Sequence, residues 1–147
     1  MKKRSIVIIS IVLVFILGLT VIALNSQTPD YKNRSVDDWY SDVTNGKKVI
    51  TVYGASYCSH CQDYYPVITK LANKYDLNLY FFEVDTLSKE NPDAYDKLMN
   101  SFEINDYDGS VPFTYIMNHT EYKVSTTGFV NREYTINFLK DNGVIKD

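Results

Sequence analysis

This chain of 147 residues has little cysteine, no surplus of positive charge and no repetitive sequence. Its two cysteines are too few for a disulfide-scaffold miniprotein. The hydrophobic content of 45% supports the core of one ordinary domain, so stability need not depend on a disulfide bond. The formal net charge is −3, and residues 25–147 carry about −6, which disfavours nucleic acid or anionic lipid as a partner.

The chain has one long hydrophobic run, and it lies at the N-terminus. Residues 5–24 contain no charged side chain and follow three cations at residues 2–4. As a helix, this run would span roughly 28 Å, close to the ~30 Å hydrocarbon core of a bilayer. We therefore predict an uncleaved signal-anchor with its N-terminus in the cytoplasm, because flanking cations stay on that side. Cleavage after Ala23, which would give a secreted protein, is the alternative.

This orientation places the rest of the chain outside the cytoplasm, where disulfide bonds form and persist. We predict a membrane anchor over residues 1–24, a polar linker over 25–35 and one folded domain over 36–147. The predicted location is the cell membrane, with a single-pass helix and an extracytoplasmic domain.

Strand and helix patterns alternate along the folded domain. A β-branched run at residues 48–53 and an apolar run at 77–84 predict buried strands. Two short strands at 113–117 and 122–126, joined by a turn at "NHTE", predict a hairpin. Two sets of apolar residues recur at helical spacing and predict two helices. The first set is Tyr64, Ile68, Leu71 and Tyr75, and the second is Tyr95, Leu98, Met99 and Phe102.

Capping residues predict where the helices begin. Ser35 precedes a short first helix, Asn91 and Pro92 precede another, and a last helix runs from about Asn131. The predicted order is βαβ, helix, ββ, helix, and its βαβ unit requires a parallel pair of strands.

The two cysteines, Cys58 and Cys61, fall where the first strand gives way to a helix. As a structural staple, so short a ring would add only about 2 kcal/mol. As a metal site, they and either His60 or His119 make at most a partial shell, although the spacing is compatible with a dimeric or copper site. Haem attachment would need a histidine directly after Cys61, where Gln62 stands. We predict a redox couple and no metal.

The helix start gives each cysteine a different role. Cys58 would face unpaired backbone N–H groups and the positive end of the helix dipole, which favour a thiolate, so it is the predicted nucleophile. Cys61, one turn further along, is the predicted resolving thiol. His60 lies between them and, if partly cationic, would stabilise the thiolate further. His119 falls in the hairpin turn and is expected to be exposed.

Four features occur together in this chain: the stretch "YCSHC" after a strand, Pro66 downstream of it, the stretch "SVPFTYI" and the order of elements. Together they resemble the thioredoxin superfamily from about Val36 to the C-terminus. The resemblance implies a thioredoxin-like α/β fold with a central mixed β-sheet flanked by helices, here preceded by one N-terminal transmembrane helix. It also implies that Pro66 kinks the active-site helix, as a proline inside a helix does.

The same resemblance implies a substrate-binding surface. In the family, the proline that matches Pro112 is cis and lies against the cysteines, and the backbone before it pairs with the substrate chain. That role passes to Val111 and Pro112. Gly128 resembles the family's glycine near the substrate surface, although a turn glycine would explain it equally well.

Several positions depart from the family. Thioredoxins carry a buried acid where Val52 stands and a buried lysine that aligns with Phe81. Cys61 then has no acid to take its proton unless Glu83, Asp85 or a water molecule serves, which makes thioredoxin-like reduction inefficient.

The residues around the cysteines also differ from those of reducing thioredoxins. Tyr57 replaces the common tryptophan before Cys58 and keeps an aromatic platform. The pair Ser59-His60 is closer to the Pro-His and Gly-His pairs of disulfide-forming relatives than to the Gly-Pro of reducing ones. About 150 mV, or roughly 7 kcal/mol, separates the two ends of the superfamily, so local electrostatics can decide the direction.

We therefore predict a membrane-tethered thiol–disulfide oxidoreductase that acts on cysteine-containing secreted or membrane proteins, with oxidation or isomerisation preferred over reduction. A reductase for cytochrome maturation or peptide export, and a non-catalytic binding or chaperone module, are the alternatives. The cycle needs a membrane redox partner to reset Cys58 and Cys61, and no organic cofactor.

Overall fold

The structure of the protein is a computed structural model that describes residues 31–146. The predicted anchor over residues 1–24 and the part of the predicted linker up to residue 30 lie outside the described residues. Among residues 31–146, no helix is long and apolar enough to cross a membrane.

Helices and strands follow one another along the described residues with short connections. In chain order they are α1 (Val36–Thr44), β1 (Lys48–Gly54), α2 (Ser59–Tyr75), β2 (Leu79–Glu83), α3 (Val84–Glu90), α4 (Pro92–Asn100), β3 (Phe113–Asn118), β4 (Glu121–Thr127) and α5 (Arg132–Asp141).

The four strands form one mixed sheet in the order β2-β1-β3-β4. β1 and β2 are parallel, as the predicted βαβ unit requires, whereas β3 is antiparallel to both β1 and β4. Val52 of β1 lies opposite Phe81 of β2, and Gly54 lies opposite Glu83. The predicted mixed sheet flanked by helices is therefore confirmed.

Alternation along β1 divides the core between the two faces of the sheet. Ile50 and Val52 point toward α2 and α5, in the cluster that contains Cys61. Val49 and Tyr53 point the other way, toward the Trp39 side chain of α1 and toward α4. A strand buried on both faces reads as a continuous apolar run, which is why residues 48–53 carried a strong strand signal.

The predicted helix starts are confirmed by cap geometry. The Ser35 hydroxyl accepts a hydrogen bond from the Asp38 N–H, and the Asn91 and Asn131 side chains accept bonds from N–H groups three residues later. Each cap satisfies one of the backbone donors that a helix start leaves without an intrahelical partner.

The second strand differs from its prediction over residues 77–84. The Leu77 N–H closes α2 by donating to Ala72, so β2 begins only at Leu79. Val84 begins α3, a helix that the sequence did not indicate because Glu83 makes no side-chain cap. Phe102 lies beyond the end of α4, where its ring packs edge-on against that of Trp39 at 5.5 Å between centroids.

The segment before α1 packs against the outer edge of the sheet. Tyr31 is buried in the same cluster as Cys61, and its carbonyl oxygen accepts a bond from the Phe81 N–H. Arg34 donates to the Leu79 carbonyl at 2.9 Å and to the Tyr80 hydroxyl at 2.8 Å. Packed structure in the described residues therefore begins before Val36.

Candidate active site

Cys58 and Cys61 lie at the start of α2, directly after the loop that leaves β1, and they are joined by a disulfide bond with Cα atoms 5.2 Å apart. Cys58 is the N-cap residue of the helix, and its sulfur accepts the backbone N–H of Cys61 at 3.1 Å. The sulfur therefore occupies the position in which a serine or asparagine oxygen usually caps a helix. This location is the one that the sequence predicted.

The two sulfur-bearing residues differ in accessibility. Cys58 is half-buried, whereas Cys61 is 3% exposed and belongs to the core. An attacking thiol can therefore reach Cys58 more easily than Cys61. This difference agrees with the predicted division of roles, in which Cys58 meets the substrate and Cys61 is shielded from it.

The loop between β1 and the helix is held by hydrogen bonds to Asp85 of α3. The backbone N–H of Ser56 donates to Asp85 at 2.8 Å, and the Ser56 hydroxyl donates to the second carboxylate oxygen at 2.6 Å. These hydrogen bonds hold the pKa of the Asp85 carboxyl below its ordinary value, so Asp85 is a weak base. Asp85 thus positions the loop that carries Cys58.

The Val111 carbonyl lies beside Cys58, and Pro112 follows Val111 in the chain. The Val111–Pro112 peptide bond is cis, and the Val111 carbonyl oxygen is 3.7 Å from the Cys58 sulfur. Gly128, at the end of β4, donates its N–H to the Pro112 carbonyl at 2.7 Å. Its φ of 85° is in the left-handed region that favours glycine. The fold therefore brings Val111, Pro112 and Gly128 together, with the Val111 carbonyl beside Cys58, and their role in substrate binding stays a prediction.

The Phe129 side chain, which follows Gly128, packs on the buried Tyr64 side chain of α2. The buried Tyr64 hydroxyl accepts a hydrogen bond from Thr114 of β3 at 3.0 Å, and the Phe129 ring packs on the Tyr64 ring with centroids 5.2 Å apart. Burial raises the pKa of Tyr64 to about 12, although the Thr114 hydrogen bond opposes the rise. Sequence reasoning placed Tyr64 on a helix face but missed this link, because both partners are far from Tyr64 in the sequence, one in β3 and one after β4.

The remaining predicted site residues are exposed, before the helix start or along α2. Tyr57 precedes Cys58 and is 79% exposed. Ser59 and His60 are the first two residues of α2 and are also exposed. Pro66 lies inside α2 and is exposed. The predicted effects of Ser59, His60 and Tyr57 on the thiolate stay predictions.

An apolar floor lies behind Cys61. Val52 and Phe81 are 0% and 1% exposed and take the positions where thioredoxins carry an acid and a lysine. A Cβ placed on Gly54 would lie only 2.7 Å from ring atoms of Phe81 and 3.7 Å from the Cβ of Cys61. The Phe81 ring therefore fills the space that a side chain at position 54 would occupy, directly beside Cys61.

Glu83, the other carboxylate considered for proton transfer, forms an ion pair with Lys32 from the segment before α1. The Lys32 ammonium also lies 4.8 Å from the Tyr65 ring centroid and 5.6 Å from that of Phe81. Both distances are within the range of a cation–π interaction. Sequence reasoning missed Lys32, because nothing local in residues 31–35 indicates a contact with β2.

Within residues 31–146, no group of three or more His, Cys, Asp or Glu side chains is arranged to hold a metal ion. His119 lies in the β3–β4 turn with φ of 57°, and it is exposed, as predicted.

Comparison with known proteins agrees with this geometry. The family model described as thioredoxin matches residues 31–141. Mitochondrial thioredoxin 3 of Saccharomyces cerevisiae, in its oxidised form, is 18% identical over 75% of this chain and 92% of its own, with a TM-score of 0.51. The germline-specific thioredoxin Deadhead of Drosophila melanogaster is 16% identical over 75% and 96%, with a TM-score of 0.55.

Thioredoxin f2 of Chlamydomonas reinhardtii is 14% identical over 77% of this chain and 96% of its own, with a TM-score of 0.56. No curated protein sequence matches the chain. At these identities the structural neighbours show the fold alone, whereas the family match covers most of the chain and includes both cysteines. With its mixed sheet and its disulfide at the start of α2, the chain belongs to the thioredoxin family.

Proposed function

We propose that the protein is a thiol–disulfide oxidoreductase of the extracytoplasmic face of a membrane, and that it donates or rearranges disulfide bonds in secreted or membrane proteins rather than reducing them. Cys58 is the nucleophile and Cys61 the resolving thiol. The uncharged run at residues 5–24 and the cations before it support the membrane location.

One observation carries the oxidising direction: the Cys58 sulfur accepts the Cys61 N–H at the N-cap of α2. In the reduced protein, the same N–H and the helix dipole would stabilise a Cys58 thiolate. A couple whose reduced form is stabilised is a stronger oxidant, because its disulfide gains more free energy on reduction. The local geometry thus favours giving the disulfide away.

The apolar floor supports the same direction. Reduction of a substrate ends when Cys61 loses its proton and attacks the mixed disulfide at Cys58. Val52 and Phe81 offer no group to accept that proton, so this step would be slow. In the oxidising direction Cys61 is instead the leaving group of the first step, and it needs no base.

The exposed surface beside the disulfide suits a polypeptide substrate. Tyr57 is 79% exposed and Val130, two residues after Gly128, is 68% exposed. The carbonyl group of Val111 lies beside the Cys58 sulfur. An extended segment around a substrate cysteine would find apolar contacts from these side chains and a backbone acceptor from the Val111 carbonyl.

Trapping of mixed disulfides tests this proposal. In cells that express the full chain, Cys61→Ser should accumulate disulfide-linked complexes with extracytoplasmic proteins, because the resolving thiol is missing. A variant that also carries Cys58→Ser is the matched control and should trap none. Absence of complexes from the single variant, with Cys58 still reactive to alkylation, would contradict the proposed substrates. A non-catalytic binding module is then the better explanation.

A further inference from the structure

The Lys32–Glu83 ion pair joins the segment before α1 to the end of β2, the strand that carries Phe81 of the cluster around Cys61. Glu83 is the register partner of Gly54, and a Cβ on Gly54 would be 3.7 Å from the Cβ of Cys61. Side chains at alternate positions of a strand share a face, so Glu83 points to the same face of the sheet as Phe81 and Cys61.

The helix side of the arrangement agrees with this placement. Tyr65 follows Cys61 by four residues on α2, so the two side chains are neighbours on one helix face. The Tyr65 ring meets the Phe81 ring edge-on with centroids 4.9 Å apart, and Lys32 lies over both rings. Lys32 and Glu83 thus lie beside the aromatic side chains that pack in the same cluster as Cys61.

The pair is partly shielded from solvent. The side chains of Lys32 and Glu83 are 40% and 28% exposed. A cavity of about 430 Å³ opens beside them between the segment before α1 and helices α3 and α4. Water can therefore reach the carboxylate. The aromatic rings on the inner side keep the local dielectric below that of bulk water, so a charge here still acts on Cys61.

We propose that the Lys32–Glu83 pair sets the proton affinity of Cys61, with Lys32 offsetting the carboxylate that would otherwise oppose a thiolate there. The proposal rests on the proposed function and specifies how the resolving thiol is tuned in a chain whose Val52 and Phe81 are apolar. Neither residue touches the sulfur atoms in this scheme. Both are positioning residues that act through the field at Cys61.

The chemical step that the pair influences is the opening of the disulfide. A substrate thiolate attacks the Cys58 sulfur, the Cys58–Cys61 bond breaks, and its electron pair leaves on Cys61. Cys61 then takes a proton from water. A second thiolate of the substrate then attacks the substrate sulfur that is bonded to Cys58, and Cys58 leaves as a thiolate. The substrate is thereby oxidised by two electrons and the protein is reduced by two. A cation near Cys61 stabilises the first leaving group, whereas an anion destabilises it.

Other ionisable groups on the surrounding elements are already engaged or lie at the surface. Asp85 is bound to Ser56, and Arg34 to Asn78, Leu79 and Tyr80. The Tyr134 hydroxyl of α5 pairs with Thr126, and the Tyr64 hydroxyl accepts from Thr114. The exposed ionisable groups on α2 and α3 are His60, Asp63, Lys70, Lys74, Lys89 and Glu90.

The proposal predicts opposite effects for the two partners. Lys32→Gln leaves the Glu83 carboxylate unbalanced and should raise the pKa of Cys61 by about 0.5 to 1 unit, as expected for a partly screened charge at this range. Glu83→Gln leaves the Lys32 ammonium and should lower the pKa by about the same amount. The double variant should return toward the wild-type value. A purely structural role would move both single variants in the same direction.

The measurement uses the full chain in detergent micelles with Cys58→Ser in every variant, so that Cys61 is the only cysteine. The 13C chemical shift of its Cβ, followed against pH by NMR, reports the pKa, and the same spectra report folding. Glu121 and Lys123 on β4, at the opposite edge of the sheet, form the matched control pair. Lys32→Arg, which keeps the charge, should leave the pKa of Cys61 unchanged.

Shifts of the same sign for Lys32→Gln and Glu83→Gln, or shifts no larger than those of Glu121→Gln and Lys123→Gln, would overturn the proposal. Lys32→Met and Glu83→Met keep the aliphatic length over the rings and must give the same signs as the glutamine variants if either of those unfolds. Disulfide exchange of the wild-type chain with a cysteine-containing peptide is measured separately. Its absence would remove the proposed function without changing the pKa result.

Discussion

Gly54 ends β1 beneath the Phe81 ring, and we expect Gly54→Ala to destabilise the oxidised protein. The added methyl group would meet ring carbons Cε1 and Cζ of Phe81 at 2.7 Å, a distance that two carbon atoms do not tolerate. The ring cannot move freely, because it packs edge-on against Tyr65 and faces Val52 across the ladder. Overpacking of this kind costs about 1–3 kcal/mol of folding free energy.

A double-mutant cycle separates this clash from a loss of glycine flexibility. Leucine at position 81 lacks the two ring carbons that the new methyl group would meet, so Phe81→Leu should remove most of the cost of Gly54→Ala. The coupling expected between contacting residues is about 1–2 kcal/mol. Phe82→Leu is the matched control, since Phe82 lies on the other face of the same strand, in the cluster with Trp39.

Urea unfolding of the oxidised protein, followed by circular dichroism, measures the four free energies. We expect Gly54→Ala to cost much less in the Phe81→Leu background than in the wild type, and its full amount in the Phe82→Leu background. Additive free energies for Gly54→Ala and Phe81→Leu would refute the close approach of ring and backbone. The description of the pocket around Cys61 would then be wrong.

Three further predictions concern the packing that holds the site. Thr51→Val should cost about 1–3 kcal/mol in urea unfolding, because the buried Trp39 Nε1–H donates to the Thr51 hydroxyl at 3.0 Å and would lose its partner. Tyr64→Phe should cost about 0.5–1.5 kcal/mol by the same assay, since the buried Thr114 hydroxyl would lose its acceptor. Asp42→Asn should flatten the acid limb of the stability–pH curve.

The sign of the Asp42 effect follows from its surroundings. Partial burial alone would raise the pKa of this carboxyl, but hydrogen bonds from Lys47, Asn78 and Tyr80 outweigh burial and lower it below the ordinary 3.8. The stability that the ionised Asp42 contributes is therefore fully present above pH 3.8, and it is lost as the pH falls through the lower pKa of the folded state. Asp63, which is exposed on α2, is the control position, and an equal flattening by Asp63→Asn would contradict the assignment to Asp42.

An exposed threonine provides the control for Thr51→Val. Thr127→Val changes a threonine that is exposed at the end of β4, so it should cost less than Thr51→Val. If Thr51→Val left the free energy of unfolding unchanged, the buried hydrogen bond from Trp39 would make no measurable contribution to stability. An unchanged stability for Tyr64→Phe would likewise remove the Thr114 link as a reason for the position of α2.

Local signals in the sequence were enough to predict most of the elements and both cysteines. The caps at Ser35, Asn91 and Asn131 depend on residues within three positions, which a sequence displays directly. The same holds for the spacing of Cys58 and Cys61, which places one at a helix start and the other one turn later.

Long-range contacts could not be predicted in the same way. Helix α3 was missed because Glu83 provides no cap and the strand signal ran on to Val84. The contact of Phe81 with Gly54 and the ion pair of Lys32 with Glu83 join residues that are 27 and 51 positions apart. Such contacts depend on the register of the sheet, and no local pattern encodes that register.

The reduction potential of the Cys58–Cys61 couple decides between disulfide donation and disulfide reduction. The full chain in detergent is equilibrated with glutathione buffers of known potential, and the oxidised fraction is measured after alkylation of free thiols. Our account predicts a potential between about −180 and −120 mV, in the range of disulfide-forming proteins. A value near that of reducing thioredoxins, about −270 mV, would contradict it.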